Sequence, residues 1–197
     1  NNGTRYFPRL EDHVANGING NQWEIVPTIN RTLNFRMTVR DNRPGGGTNE
    51  SVNTAVTFQS NRGPFLITSQ NTAGISYTQG STQTVTWSVN STNLMTGATN
   101  VNIKLSTDGG KTFPTTLVAN TPNDGSEIIT LPNVSAPYCR IMIEAVDNIF
   151  YALSKNISLG YVVTVTTTCN TYSASPAATI VEQSPLAYQT FSVVVPA

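Results

Sequence analysis

Arg31-Thr-Leu-Asn-Phe-Arg-Met-Thr-Val-Arg40 decides the fold. Leu33, Phe35, Met37 and Val39 alternate with Asn34, Arg36, Thr38 and Arg40. Successive side chains of an extended chain point to opposite sides, so a period of two is a strand with one apolar and one polar face. The same grammar recurs outward from this stretch. Thr84-Val-Thr-Trp-Ser-Val89 puts Val85, Trp87 and Val89 on one face, which makes Trp87 a core residue. Val101-Asn-Ile-Lys-Leu-Ser106 does the same with Val101, Ile103 and Leu105. Ala55-Val-Thr-Phe58, Phe65-Leu-Ile-Thr68, Glu127-Ile-Ile-Thr-Leu131, Cys139–Ala145 and Asn156-Ile-Ser-Leu159 read as further strands. Short strands separated by turn signals predict a sandwich. No long stretch carries a 3.6-residue period, so almost no helix is expected.

The fold class expected is all-β, with tandem Ig-like or fibronectin-III-like sandwiches. The first module spans 1–72 and opens on an irregular, turn-rich stretch over 1–24. Ser69 to Gln79 reads as a linker. The second module spans 73–160. Residues 161–197 hold the strand Tyr161–Thr166, a Ser/Ala/Pro loop and the strand Gln189–Val195. They are too few for a sandwich and form a terminal β segment or the opening of a third module.

Composition narrows the function classes. The 197 residues carry no formal net charge, and only 11% are charged. A nucleic-acid binder would show a basic excess, so none is expected as partner. Apolar residues are plentiful and no like-charge block exists, which argues against disorder. No apolar run approaches the roughly 20 residues of a membrane-spanning helix. Thr, Ser and Asn supply the polarity, as on the exposed strand faces of exported β proteins. The expected location is secreted, extracellular or at the cell surface.

Chemistry is sparse. His13 is the single histidine and lies beside Glu11 and Asp12 in the irregular opening. No Gly-x-Ser-x-Gly elbow and no His-Glu-x-x-His helix accompanies it. Catalytic residues are therefore assigned nowhere, and no enzyme activity is expected of the chain. Pro44-Gly-Gly-Gly47 lacks the Gly-Lys-Ser/Thr of a phosphate loop and reads as a hairpin connection.

Ser106-Thr-Asp-Gly-Gly-Lys-Thr-Phe113 matches the Asp-box pattern Ser-x-Asp-x-Gly-x-Thr-aromatic. An aspartate at a hairpin tip accepts backbone N–H bonds and the glycine takes positive φ. A structural turn and a ligand or calcium contact are both readings of it. Asn123-Asp-Gly-Ser126 is a second tight turn. Structural calcium is the one cofactor to weigh, at loop carboxylates such as Asp41, Asp108, Asp124 and Asp147. It would need several converging oxygens, and no Asp-x-Asp-x-Asp spacing is present. Trp23 reads as a lid over the first module or as an exposed contact. The candidate ligand contacts are thus Trp23, Asp108 and Asp124. Cys139 and Cys169 are either a disulfide or free thiols, Cys139 then being a small core residue.

Several longer motifs carry a resemblance. Arg5-Tyr-Phe-Pro8, Val26–Asn42 with Gly45-Gly-Gly47, and Gly63-Pro-Phe65 resemble a region of secreted metallopeptidases of the reprolysin-like (metzincin) type of Bacteroidetes-like bacteria. Thr84-Val-Thr-Trp87, Val101–Gly110, Asn123-Asp-Gly-Ser126, Arg140-Ile-Met-Ile143 and Asn148-Ile-Phe150 are similar to the same family. The resemblance covers about residues 5–160. Cys169-Asn-Thr-Tyr172 through Phe191–Pro196 resembles the start of a P-domain-like module. In that family these modules follow the zinc domain, and its zinc ligands and catalytic glutamate have no counterpart here. The resemblance implies a non-catalytic accessory region whose partner is the catalytic domain of the same polypeptide, together with protein or glycan substrate. It also implies that the first module begins upstream of residues matching Arg5.

Overall fold

The computed structural model describes residues 5–41 and 43–161. Strand is their commonest regular structure, and helix is scarce. One short helix, α1 (Leu10–Asn16), precedes β1 (Arg31–Arg40), β2 (Asn49–Phe58), β3 (Leu66–Ile67), β4 (Ile75–Tyr77), β5 (Thr82–Ser88) and β6 (Asn100–Ser106). Then come β7 (Thr115–Pro122), β8 (Ser126–Thr130), β9 (Ala136–Ala145), β10 (Tyr151–Leu153) and β11 (Ile157–Leu159). The all-β expectation holds at that level. The strand Tyr161–Thr166 beyond its first residue, the strand Gln189–Val195 and Cys169 lie outside the described residues.

The alternation of residues 31–40 is realised as predicted, and among the described residues its setting is a two-stranded sheet. β1 and β2 form a two-stranded antiparallel sheet with register Arg31↔Phe58 through Arg40↔Asn49. On its polar face Thr32 meets Thr57 and Thr38 meets Ser51 in hydroxyl hydrogen bonds of 3.1 and 2.9 Å. On its apolar face the Phe35 ring lies edge-on to Phe7, with centroids 5.4 Å apart. Beyond that contact Met37, Val39 and Val52 are exposed. Among the described residues no second sheet covers them.

The sandwich lies in residues 65–159. One sheet has the order β3-β5-β8; the other runs β4-β11-β9-β6-β7, with β10 paired to β9. Val85 and Trp87 of the first sheet and Val101, Ile103, Leu105, Ile141 and Ile143 of the second form one core. Sequence alternation delivers these residues to the inner faces. Trp87 donates its indole N–H to Asn123 Oδ1 at 2.8 Å. Asn123 is itself buried and donates to Thr92 Oγ1 and Ala98 O, so its amide is satisfied.

Three boundaries differ from the sequence reading. Phe65 and Ile67 belong to this core, and β3 pairs with β5. The sandwich therefore takes its first strand from before residue 73. Gln70 is no linker residue. It is buried, its side-chain Nε2 donates to Thr84 O of β5 at 3.3 Å, and its backbone carbonyl accepts from Lys155 N, in the β10–β11 loop, at 2.9 Å. A buried residue tied to two distant segments behaves as part of the fold. The opening stretch is not wholly irregular, because Leu10–Asn16 is helical. Seven residues are too short to hold a helix alone, so tertiary contacts sustain it.

β9 explains those contacts. It is buried on both faces: Cys139, Ile141 and Ile143 point into the core, and Arg140 and Met142 are also covered. The N-terminal segment packs against β10, the neighbour of β9. Tyr6 sits edge-on to Tyr151 of β10 at 5.3 Å, and Tyr151 donates its hydroxyl to Pro8 O. Cys139 is buried, and among the described residues it forms no disulfide. Burial pushes its pKa up to about 11, so it stays protonated and inert at neutral pH.

Candidate functional site

The turn between β6 and β7 is built around one carboxylate. Asp108 Oδ1 accepts the Ser106 hydroxyl at 2.6 Å and the N–H groups of Lys111 and Thr112 at 3.0 Å each. Oδ2 accepts the Thr112 hydroxyl at 2.6 Å. Ser106 Oγ in turn accepts the N–H of Gly110 at 2.8 Å. The Ser, Asp, Gly and Thr of the motif are therefore the groups that close the loop on itself. Burial raises the Asp108 pKa, but the four hydrogen bonds to its charged form outweigh this and hold it down at about 2. The hydroxyl of Ser106 is spent on Asp108, and the side chain is fully buried. It is not placed as a nucleophile.

Helix α1 docks beside this turn. A Cβ built on Gly110, whose φ is +98°, would stand 3.0 Å from Val14 Cγ2 and 2.9 Å from Arg140 Cδ. Glycine is needed there both for the backbone conformation and for the close approach of helix and arginine. Arg140 is buried. It donates from Nε to Gly109 O at 3.1 Å and from Nη1 to Ser154 O at 2.7 Å. Its hydrogen-bond partners are carbonyls, and no carboxylate pairs with it among the described residues. Burial lowers its pKa.

His13, on α1, faces the same corner. Its Nδ1 lies 3.1 Å from the Tyr151 hydroxyl and its ring is buried. Burial first, and the Arg140 charge second, push its pKa down to about 4. His13 is thus a neutral packing residue at pH 7. Burial also raises the Tyr151 pKa, so that hydroxyl stays protonated. The corner contains a histidine, a tyrosine and an arginine, but each polar atom named is committed to holding α1, β9, β10 and the Asp108 turn together.

The three sequence candidates are not brought to one place. Asp108 lies at the β6–β7 turn and Asp124 at the β7–β8 turn, so the eight residues of β7 separate them. Asp124 is exposed and accepts only the Ser126 N–H, at 3.3 Å. Trp23 is no lid. It is 82% exposed, in a turn where Asn21 Oδ1 accepts its N–H at 2.7 Å. Its neighbour Glu24 is held by Arg5 and by the N–H of Arg9, which fixes the turn while leaving the indole in solvent. Among the described residues no three His, Cys, Asp or Glu side chains are grouped to hold a metal ion. No helix among them is long and apolar enough to cross a membrane.

Sequence reasoning missed Arg140 and Tyr151. One signal for Arg140 was present. Met142 between Ile141 and Ile143 breaks strict alternation, and an apolar residue on the polar side of a strand means that side is covered too. No protein-family model, curated protein or solved structure matches the chain.

Proposed function

We propose that this chain is a non-catalytic accessory region of a secreted zinc metallopeptidase. In this reading its β modules space, stabilise or offer substrate to a catalytic domain of the same polypeptide. The observation that carries the reading is the Asp108 corner: the groups there that could do chemistry serve as ties between turn, helix and strands. The motif resemblance over residues 5–160 agrees with it. The strand order supports an Ig-like module within residues 65–159. The chain crosses sheets between β3 and β4, and β4 then runs parallel to β11 while the other ladders are antiparallel. The test is proteolysis of casein by the 197-residue chain with and without zinc. No zinc-dependent cleavage is the expected result, and robust cleavage would overturn the reading.

The exposed Trp23 favours a second reading, an adhesive or carbohydrate-binding module, because an open indole offers a stacking face for a sugar ring. A glycan array separates the two. Specific binding that is lost in Trp23→Ala supports the second, and silence supports the first.

A further inference from the structure

The β1–β2 ribbon has two edges, and they differ in charge. β1 carries Arg31, Arg36 and Arg40. β2 carries no Lys, Arg, Pro or Gly, and Glu50 is its one charged residue. Charges and prolines are how sheet edges avoid pairing, so β1 is guarded and β2 is open. β2 is exposed along most of its length and pairs only with β1 among the described residues. A ribbon of two strands is marginal in water and gains stability from a third.

The ladder shows which backbone groups are free. Asp41 N–H bonds to Thr48 O at 3.4 Å, continuing the Arg40↔Asn49 register. Alternate pairs of an antiparallel ladder exchange hydrogen bonds, so Val52, Thr54 and Val56 aim their N–H and C=O at β1. Ser51, Asn53, Ala55 and Thr57 aim theirs outward.

We propose that β2 is a homodimerisation edge, pairing antiparallel with β2 of a second copy about a two-fold axis at Thr54. Thr54 then faces itself across the axis. Val52 faces Val56 of the second copy, and Asn53 exchanges N–H···O=C bonds with Ala55 of the second copy. The apolar side of the ribbon continues across the seam as one face of a four-stranded sheet. The two Glu50 carboxylates stand eight residues apart, about 26 Å at the rise of a strand, so no like charges oppose. Pairing through β1 would instead gather three arginines from each copy at one seam, which is unfavourable. Moving the axis to Asn53 would set Val52 against Thr54 and give up the valine contact.

Sedimentation of the 197-residue chain over a range of concentrations tests the proposal. A dimer is expected. Ala55→Pro removes an outward N–H while sparing the ladder to β1, and should weaken the dimer about tenfold or more. Asn34→Pro makes the matching change on the β1 edge and should leave the dimer intact. Thr54→Cys should form a disulfide between copies on mild oxidation, located at position 54 by peptide mapping, whereas Asn53→Cys should not. A monomer at every concentration would overturn the proposal. So would a dimer indifferent to Ala55→Pro, or absence of the Thr54→Cys cross-link.

Discussion

The ribbon of residues 31–58 and the sandwich of residues 65–159 are written in the same alternating pattern and end in opposite states. In β6, Val101, Ile103 and Leu105 are wholly buried. In β1, Met37 and Val39 are mostly exposed, although they alternate with polar residues just as regularly. The difference lies in what stands opposite. β6 lies between β7 and β9 and faces a second sheet. Among the described residues β1 has one neighbour strand and, at Phe35, the ring of Phe7. Alternation makes a face; only a second surface makes a core.

Mutations can break this contrast. The largest effect is expected at Trp87→Ala, which empties the core and leaves Asn123 Oδ1 unpaired. It should cost about 3–5 kcal/mol, read from chemical denaturation. Phe35→Ala at the matching position of β1 should cost only about 1 kcal/mol, because the ring is half-exposed. If the two costs were equal, the ribbon would be covered by something the described residues do not include.

The second prediction concerns how α1 is held to the sandwich. The His13 pKa is about 4 when docked and 6.5 when free. Docking is therefore at full strength above pH 6.5 and weakens as pH falls from 6.5 to about 4, because the undocked state takes up its proton first. At pH 5 the loss is on the order of 2 kcal/mol. His13 is buried against Tyr151 and near Arg140, and no carboxylate accepts a hydrogen bond from it. The hydrogen-exchange protection factors of Leu10–Asn16, taken relative to the intrinsic rate at each pH, should fall across that window, while those of β6 hold. His13→Phe should flatten the response; an unchanged response in that variant would place the titrating group elsewhere.

A smaller effect is expected at the turn. Asp108→Ala removes the acceptor for two N–H groups and two hydroxyls, and should cost about 1–2 kcal/mol. The depressed pKa means that the contribution of the carboxylate is present above pH 4 and is lost as pH falls through about 2. Calorimetry at pH 7 and at pH 2 checks both statements, since the variant and the parent should converge in acid. The smallest effect is expected at Arg36→Ala, within about 0.5 kcal/mol, as its side chain lies exposed on the polar face of the ribbon.

Much of the secondary structure was legible because it depends on neighbours in the chain. β1, β5 and β6 follow from their alternation, β8 and β9 from short apolar runs between turn signals, and the Asp108 turn follows from a motif whose groups bond within eight residues. β7 was less so. Leu117 and Val118 are adjacent, Asn120 has φ +55°, and the ladder to β6 shifts register there, so the strand carries no clean period. Helix α1 was illegible for another reason. Its short length offers no periodic stripe, and the residue that anchors it, His13, is polar. Trp23 was open in the sequence between a lid and an exposed contact, and the turn at Asn21 leaves it in solvent.

By itself the chain determined which segments are extended, which side of each strand is apolar, that Trp87 lies inside, and that Asp108 closes a hairpin. These are set by backbone geometry and by contacts a few residues long. Tertiary structure alone decided that Gln70 is buried, that His13 and Arg140 meet without an acid between them, and that the apolar face of β1 stays partly open. Burial is a property of two surfaces, and a pattern within one segment describes only the first of them.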